Sequence, residues 1–192
     1  MTNTNPDDRR GALPVYILAG GKSRRFGNDK ARAMVDGAPL ITRVSQVFAS
    51  VAGEVTVVAD RAGRYADLGL RTIGDVVPEK GPIGGLLTAL DDAGGWIFLT
   101  ACDWLGVRPE WLQTLDETRA RSPRETGAVV FRSERGYEPL FGLYSASMRA
   151  AISAEIDRGR LKMQDLLGRI GTVAVDMPAG WRDVVNLNRP VD

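Results

Sequence analysis

Short apolar segments alternate with amphipathic ones along the chain, a pattern that is typical of an α/β protein. Apolar segments predict strands at 15–19, 54–59, 71–75, 96–101, 128–131, 139–144 and 172–177. Amphipathic segments with proline or glycine at their ends predict helices at 39–51, 81–94, 109–121 and 145–157. Because most of the strands are continuously apolar, we expect a mostly parallel sheet with helices on both faces.

Two local patterns refine this expectation. Ile41, Val44, Phe48 and Val51 recur at spacings of three and four, so we expect all four on the buried face of the first helix. The strands at 128–131 and 139–144 flank a turn at Arg135-Gly136, which adds one antiparallel strand. The chain contains no repeat, low-complexity tract or linker. It therefore predicts a single domain over residues 1–192, with residues 1–13 as a flexible lead-in.

Composition excludes several classes of protein. The 192 residues suit one domain, with 44% apolar and 26% charged residues. A net charge of +1 argues against binding to nucleic acid or to a membrane surface, and no apolar run is long enough to span a bilayer. The polar start of the sequence does not resemble a signal peptide. The sole cysteine, Cys102, cannot form an intramolecular disulfide, so we expect a cytoplasmic protein.

The chain contains no histidine. This excludes histidine-based nucleophilic triads, histidine general bases and histidine-ligated zinc. Any chemistry must use carboxylates, lysine, arginine, hydroxyl groups, the backbone or a bound hard cation.

The segment LAGGKSRRFGNDKA at 18–31 is the first candidate site, because ligands of open α/β sheets bind beyond the carboxyl ends of strands. It is not a P-loop, since Tyr16 stands where that motif needs its first glycine, and it is not a G-x-G-x-x-G fingerprint. Adjacent glycines let the backbone approach an anion. Its four cations are Lys22, Arg24, Arg25 and Lys30. This density favours a polyphosphate over the alternative, a tight turn with solvated cations.

Asp103 follows the predicted strand at 96–101, where a carboxylate can bind Mg²⁺ together with substrate phosphates. The alternative is a cap for the helix at 109. The glycines at 81–85 open another helix, whose entry, including Gly84, forms either a flat surface beside a base or ribose or a place of close packing. Asn186 and Asn188 share one face of an extended segment, unless they only form a turn before Pro190.

The segment at 18–31 resembles the signature of the molybdenum cofactor guanylyltransferases, which belong to the nucleotidyltransferases. The resemblance continues in order along nearly the whole chain, at DVVPEKGPIGGLLTAL (75–90), FLTACD (98–103), YEPLFGLY (137–144) and VNLNRPVD (185–192). It implies a Rossmann-like nucleotidyltransferase domain that transfers GMP from GTP to molybdopterin or the molybdenum cofactor and releases pyrophosphate in the presence of Mg²⁺. An acceptor phosphate is already a nucleophile, so this reaction needs no strong base. GTP and molybdopterin are the expected partners, with transient contact to enzymes that insert or receive the cofactor.

The same resemblance, joined to the residue patterns above, assigns roles to individual positions. We expect the nucleotide site to include Leu18, Ala19, Gly20, Gly21, Lys30, Asp60, Asp75, Gly84 and Asp103. We expect Arg25, Lys30 and Asp103 to act in catalysis, Asp103 to hold Mg²⁺, and Asn186 and Asn188 to lie on the acceptor side.

Several positions depart from the family pattern. Trp104-Leu105 stands where the family commonly has Thr-Pro, Asp60 stands where it has asparagine, and Glu138 stands where it often has histidine. A basic pair near 160 is reduced to Arg160 and Lys162. The alternatives are a cytidylyl- or other nucleotidyltransferase with a different phosphorylated acceptor, and a non-catalytic nucleotide-binding homologue.

Overall fold

A computed structural model describes residues 12–20 and 29–186 of the chain. Its strands are β1 (Val15–Leu18), β2 (Met34–Val35), β3 (Ala38–Pro39), β4 (Val55–Ala59), β5 (Thr72–Gly74), β6 (Trp96–Ala101), β7 (Trp104–Leu105), β8 (Ala128–Ser133), β9 (Gly136–Ser145), β10 (Thr172–Asp176) and β11 (Val185–Asn186). Its helices are α1 (Leu40–Ala49), α2 (Pro82–Ala93), α3 (Glu110–Arg121), α4 (Arg149–Asp157) and α5 (Met163–Leu167). Short 3₁₀ turns occur at Lys30–Arg32, Ala66–Leu68, Ala146–Met148 and Trp181–Asp183.

Seven of these strands form one sheet in the order β10-β8-β9-β6-β1-β4-β5. β1 pairs in parallel with β4 and with β6, β4 with β5, and β8 with β10. β9 runs antiparallel to both of its neighbours, β6 and β8. The predicted mostly parallel sheet with one antiparallel strand is therefore confirmed. The chain builds outward from β1 through β4 to β5 and then returns as β6, so the strand order reverses between β1 and β6.

Helices cover both faces of the sheet, as predicted. On one face, α1 and α3 bury Ile41, Phe48 and Leu115 against the sheet. On the other face, α2, α4 and α5 bury side chains such as Leu86 and Ile156. α2 begins with Pro82 in its first turn and ends at Gly94, whose φ of 68° suits a glycine, so both boundary residues behave as the sequence indicates.

Two details of the predicted helices are wrong. Val51 is not on the buried face of the first helix, because α1 ends at Ala49 and Val51 lies in the following turn, 37% exposed. The helix expected from Ser145 begins only at Arg149. Ser145 instead ends β9, and its side chain caps a 3₁₀ turn by accepting a hydrogen bond from the Ser147 N–H group.

The structure also contains short elements that the hydrophobic pattern did not predict. These are α5, the β2–β3 hairpin and the two-residue ribbon in which β7 pairs with β11. The strands β8 and β9 extend up to the turn at Arg135-Gly136, further than predicted. None of the helices in the described part of the chain is long and apolar enough to cross a membrane.

A polar network ties the end of α2 to the amino-terminal ends of the central strands. Arg71 donates two hydrogen bonds to the Asp92 carboxylate, at 2.9 and 3.0 Å, and a third to Thr56 Oγ1 at 2.7 Å. The Tyr16 hydroxyl donates to Asp92 Oδ2 at 2.6 Å. The hydrogen bonds from Arg71 lower the pKa of Asp92, and burial raises the pKa of Tyr16. Asp92 therefore stabilises the fold through its ionised form.

We expect Asp92→Asn to lower the free energy of unfolding at neutral pH by about 1–2 kcal/mol, since a charge-assisted pair is lost at a partly exposed site. Because the folded-state pKa of Asp92 is lowered, this contribution is present above its ordinary value and is lost as pH falls through the lowered value. Urea unfolding at several pH values should show the wild type and the variant converging below about pH 4.

Asp91→Asn is the matched control. Asp91 adjoins Asp92, and among the described residues its side chain forms only a 3.5 Å surface pair with Arg149, in which both side chains are 49% exposed. We expect it to change stability by less than about 0.5 kcal/mol. Equal effects of the two variants, or a constant difference down to pH 2, would contradict the role given to Asp92.

Candidate active site

A cavity of about 1010 Å³ lies at the carboxyl ends of β1, β4, β5 and β6, beside the point where the strand order reverses. Its walls are the residues that follow these strands, the turn at 29–31, the entry to α2, and Leu140 and Leu161. Such a position is where ligands of open α/β sheets bind. The described lining contains five carboxylates, Asp29, Asp60, Asp75, Glu79 and Asp103, and three cations, Lys30, Arg64 and Lys80.

The backbone after β1 forms one wall of the cavity. Leu18, Ala19 and Gly20 all line it. The Ala19 N–H group donates to Val58 O at 2.9 Å, and Leu18 O accepts from the Cys102 N–H group at 3.1 Å. These bonds continue the strand ladders past the ends of the strands. They hold the first loop directly beside the loop that carries Asp103.

Lys30 and Asp103 meet across the cavity. Lys30 Nζ donates to Asp103 Oδ2 at 3.1 Å, although 73 residues separate them in sequence. Both side chains are mostly buried, with 18% and 20% of their surface exposed. The second carboxylate oxygen, Asp103 Oδ1, is buried and has no hydrogen-bond partner within residues 12–20 and 29–186.

This arrangement suits a magnesium ion. Mg²⁺ prefers oxygen ligands and is commonly held by one or two carboxylates together with substrate phosphates and water. Asp103 offers a buried, unpartnered oxygen of the required kind. The described residues contain no cluster of three potential ligands, so a complete protein-only cage is not formed there. Asp103 is the residue that would hold the ion.

The turn that carries Lys30 is fixed from behind by Asp29. The Asp29 carboxylate accepts from the Ala31 N–H group at 3.1 Å, from the Tyr65 hydroxyl at 3.0 Å and from Arg64 at 2.9 and 3.1 Å. Tyr65 is fully buried, and burial raises its pKa. Arg64 also forms a 2.5 Å ion pair with Asp60, and this hydrogen bond lowers the pKa of Asp60.

Asp75 shapes the loop that leads into α2. Its Oδ1 accepts from the Val77 N–H group at 2.9 Å and lies 3.0 Å from the Thr88 hydroxyl. The loop contains two residues with positive φ, Glu79 at 65° and Gly81 at 69°. The second of these is a glycine with no side chain to strain, whereas Glu79 is an unusual residue for this conformation.

Gly84 and Gly85 allow α2 to approach its neighbours closely. A Cβ atom on Gly84 would lie 2.7 Å from Val77 O, and one on Gly85 would lie 2.8 Å from Leu18 Cδ2. Gly85 lines the cavity. Gly84 instead lies against the backbone of the loop after Asp75, so its close packing is visible while its contact with a nucleotide stays a prediction.

Cys102 is not suited to act as a nucleophile. Burial raises the pKa of its thiol to about 12, so the reactive thiolate is scarce at neutral pH. Burial also raises the pKa of Glu138, which precedes the cavity-lining part of β9.

The structure thus brings Leu18, Ala19, Gly20, Lys30, Asp60, Asp75 and Asp103 to one cavity. Gly21, Arg25 and Asn188 lie outside the described residues. Asn186 pairs with Trp104 through the β7–β11 ribbon, which joins this segment to the residue following Asp103. Trp104 in turn packs against Trp181, with ring centroids 5.5 Å apart.

Comparison with known proteins identifies the family. The MobA-like NTP transferase domain matches residues 15–174. The chain belongs to this family.

Individual relatives align with most of the chain. A "probable molybdenum cofactor guanylyltransferase" of Synechococcus elongatus is 37% identical, over 93% of this chain and 94% of its own length. A protein of the same name from Methanothermobacter thermautotrophicus is 31% identical, over 93% and 95%. The crystal structure of molybdopterin-guanine dinucleotide biosynthesis protein A from Archaeoglobus fulgidus superposes with a TM-score of 0.72 at 26% identity, over 85% of this chain and 83% of that one. The predicted resemblance is confirmed.

The cavity of this MobA-like domain also includes residues that the sequence analysis did not single out. Arg64, Glu79 and Lys80 line it, and Arg64 contacts two of its acids, Asp29 and Asp60. Nothing in the local pattern around Arg64 distinguishes it from Arg61, which precedes it by three residues. Only the folded contact with Asp29, 35 residues away, reveals its position.

We expect Gly84→Ala to destabilise the domain and to distort the cavity. Alanine gains about 1 kcal/mol of helix propensity over glycine, but its Cβ would meet the backbone oxygen of Val77, which moves only with the loop. Overpacking of this kind costs about 1–3 kcal/mol, so the net change should be destabilising. Urea unfolding measures the stability.

Gly95→Ala is the control for this substitution, because a Cβ there would meet no atom within 4 Å and φ is not positive. Its stability should stay within about 0.5 kcal/mol of the wild type. If the Gly84→Ala protein were at least as stable as the wild type, the backbone at Val77 would be able to move away from the new Cβ without loss of stability.

Proposed function

We propose that this chain transfers GMP from GTP to the terminal phosphate of molybdopterin or of the molybdenum cofactor and releases pyrophosphate. The proposal depends on the hydrogen bond from Lys30 to Asp103 in the cavity at the carboxyl ends of the strands. The other Asp103 carboxylate oxygen is buried there without a hydrogen-bond partner among the described residues. A cation and a metal-binding carboxylate are the groups that a reaction between two phosphates needs.

The chemistry requires charge neutralisation more than proton transfer. An oxygen of the acceptor phosphate attacks the α-phosphorus of GTP, a new phosphoanhydride bond forms, and the bond to the β-phosphate breaks as pyrophosphate leaves. Lys30 would bind the phosphate oxygens and hold the reacting groups in line. A magnesium ion held by Asp103 would supply further positive charge at the phosphates. The absence of histidine agrees with this scheme, because no strong base is needed.

The choice of GTP and of molybdopterin rests on the names of the relatives rather than on the geometry. Relatives named as molybdenum cofactor guanylyltransferases match more than nine-tenths of the chain. We extend the activity in their names to this chain, and we add the use of Mg²⁺ and a cytoplasmic site of action as parts of the same proposal. Asp60 departs from the family pattern at the nucleotide site. The preference for GTP over other nucleoside triphosphates therefore needs a direct test.

The decisive experiment is a turnover assay with molybdopterin and each nucleoside triphosphate. We expect pyrophosphate release and a product heavier than molybdopterin by one GMP unit, with GTP and Mg²⁺ only. Transfer from CTP instead would overturn the guanylyl assignment. Binding of GTP without any transfer would identify a nucleotide-binding homologue that has lost catalysis.

We expect Asp103→Asn to lower Mg²⁺-dependent turnover at least about a hundredfold, a loss typical of removing one key electrostatic contact from an active site. The amide keeps the shape of the side chain but removes the charge that a divalent cation requires. Because metal and phosphates assemble together, nucleotide binding should weaken less than turnover. Turnover measured against Mg²⁺ concentration tests this.

The control for Asp103→Asn is the surface variant Asp91→Asn, which removes one carboxylate that does not line the cavity. It should behave as the wild type. If Asp103→Asn kept normal turnover at the same Mg²⁺ optimum, Asp103 would be a structural residue and the catalytic assignment would fail.

We expect Lys30→Ala to weaken GTP binding about ten- to a hundredfold, since a charge-assisted contact to phosphate contributes roughly 1.5–3 kcal/mol. Calorimetric titration with GTP measures the loss, and circular dichroism checks that the variant stays folded. Arg121→Ala removes one cation from an exposed part of α3 and serves as the control. Unchanged GTP affinity in Lys30→Ala would exclude Lys30 from phosphate binding.

A further inference from the structure

Arg64 joins two walls of the cavity that belong to distant parts of the sequence. Its Nε and one terminal nitrogen donate to Asp29 Oδ2, at 3.1 and 2.9 Å, and its other terminal nitrogen pairs with Asp60 Oδ2 at 2.5 Å. Asp29 begins the turn that carries Lys30, and Asp60 follows β4 directly. One planar guanidinium therefore spans both carboxylates.

The bond to Asp29 bears directly on Lys30. The Asp29 carboxylate caps the 3₁₀ turn Lys30–Arg32 by accepting from the Ala31 N–H group. Arg64 and the buried Tyr65 hydroxyl hold this carboxylate from the other side. The orientation of the turn, and with it the reach of Lys30 towards Asp103, depends on where Asp29 is held.

Of the two arginines near Asp60, Arg61 and Arg64, only Arg64 binds the carboxylate directly within the described residues. Arg61 is exposed and acts on Asp60 only through longer-range attraction, without a hydrogen bond or ion pair within the described residues. Arg64 is only 28% exposed and uses three nitrogens on two carboxylates. A lysine could supply the charge at this position but could not reproduce the planar fork.

We propose that Arg64 is a positioning residue that orients the Asp29–Lys30 turn so that Lys30 reaches the phosphates of the bound nucleotide. Arg64 acts through Asp29 and does not itself contact the reacting atoms. The inference rests on the proposed function in taking a polyphosphate as the ligand of Lys30. Its core claim, that the Arg64 fork fixes the position of Lys30, is testable without any nucleotide.

The first test measures the reactivity of Lys30 towards acetic anhydride, read by mass spectrometry, in the folded full-length chain. Arg64→Lys keeps the charge, Arg64→Ala removes it, and Arg61→Ala is the matched control. If the loss of the Arg64 fork destabilises the closed position of the Lys30 turn by about 1.4 kcal/mol, the population with Lys30 exposed rises about tenfold. Acetylation of Lys30 should rise by the same factor. We expect this rise in both Arg64 variants and not in Arg61→Ala.

The second test measures the affinity for inorganic pyrophosphate by calorimetry, with unfolding temperatures recorded for each variant. We expect pyrophosphate binding to weaken about tenfold in Arg64→Lys and Arg64→Ala and to stay normal in Arg61→Ala. Loss of global stability alone would leave the pyrophosphate affinity of the folded protein unchanged and would appear instead as a lower unfolding temperature.

The outcomes separate this inference from the proposed function. Wild-type labelling or wild-type affinity in Arg64→Lys would overturn the positioning role, as would equal defects in Arg61→Ala or a wild-type chain that does not bind pyrophosphate. If the Arg64 variants behave as expected while the wild type transfers no GMP to molybdopterin, the positioning role stands and the proposed reaction fails.

Discussion

The parallel pairing of β1 with β6 is the constraint on which the candidate site depends. Leu18 lies beside Ala101 in this register, so the backbone at 19–20 and the residues at 102–103 leave the sheet side by side. The bond from the Cys102 N–H group to Leu18 O extends the pairing by one step. From the 3₁₀ turn Lys30–Arg32, the Lys30 side chain then reaches Asp103. A shift of one residue would reverse which side chains face each layer and would separate these groups.

The carboxylates of the cavity differ in the hydrogen-bond donors and cations that bind their oxygens. This difference separates acids with a structural role from a candidate metal ligand. Asp29 and Asp60 share Arg64, and Asp75 accepts from the Val77 N–H group beside the Thr88 hydroxyl. Asp103 pairs with Lys30 through one oxygen only, and its other oxygen is the sole buried carboxylate oxygen without a partner in residues 12–20 and 29–186. A buried polar atom of this kind is costly unless something binds it. Among the described acids, Asp103 is therefore the one with a buried oxygen left to bind the proposed cation.

Much of this organisation could be predicted because it is local in sequence. Continuously apolar segments predicted the sheet, and the position of Asp103 after β6 predicted its place at the cavity. What could not be predicted depends on tertiary contacts, such as Arg64 meeting Asp29 across 35 residues, or Gly84 lying against Val77 O. The ribbon of β7 and β11 is only two residues long on each side and leaves no periodic signal. The roles of the individual site residues remain predictions, since contacts within the protein do not include the substrates.

Two departures from the family pattern have structural partners in this chain. Asp60, in place of the family's asparagine, adds a negative charge to the cavity, and the ion pair with Arg64 offsets that charge and lowers the pKa of the carboxyl group. Trp104, in place of threonine, packs against Trp181, while its backbone pairs with Asn186. Neither contact involves the bond between Lys30 and Asp103. The departures therefore alter the walls of the cavity without direct contact with the pair proposed to act on the phosphates, and Asp60 is linked to Lys30 only through Arg64 and Asp29.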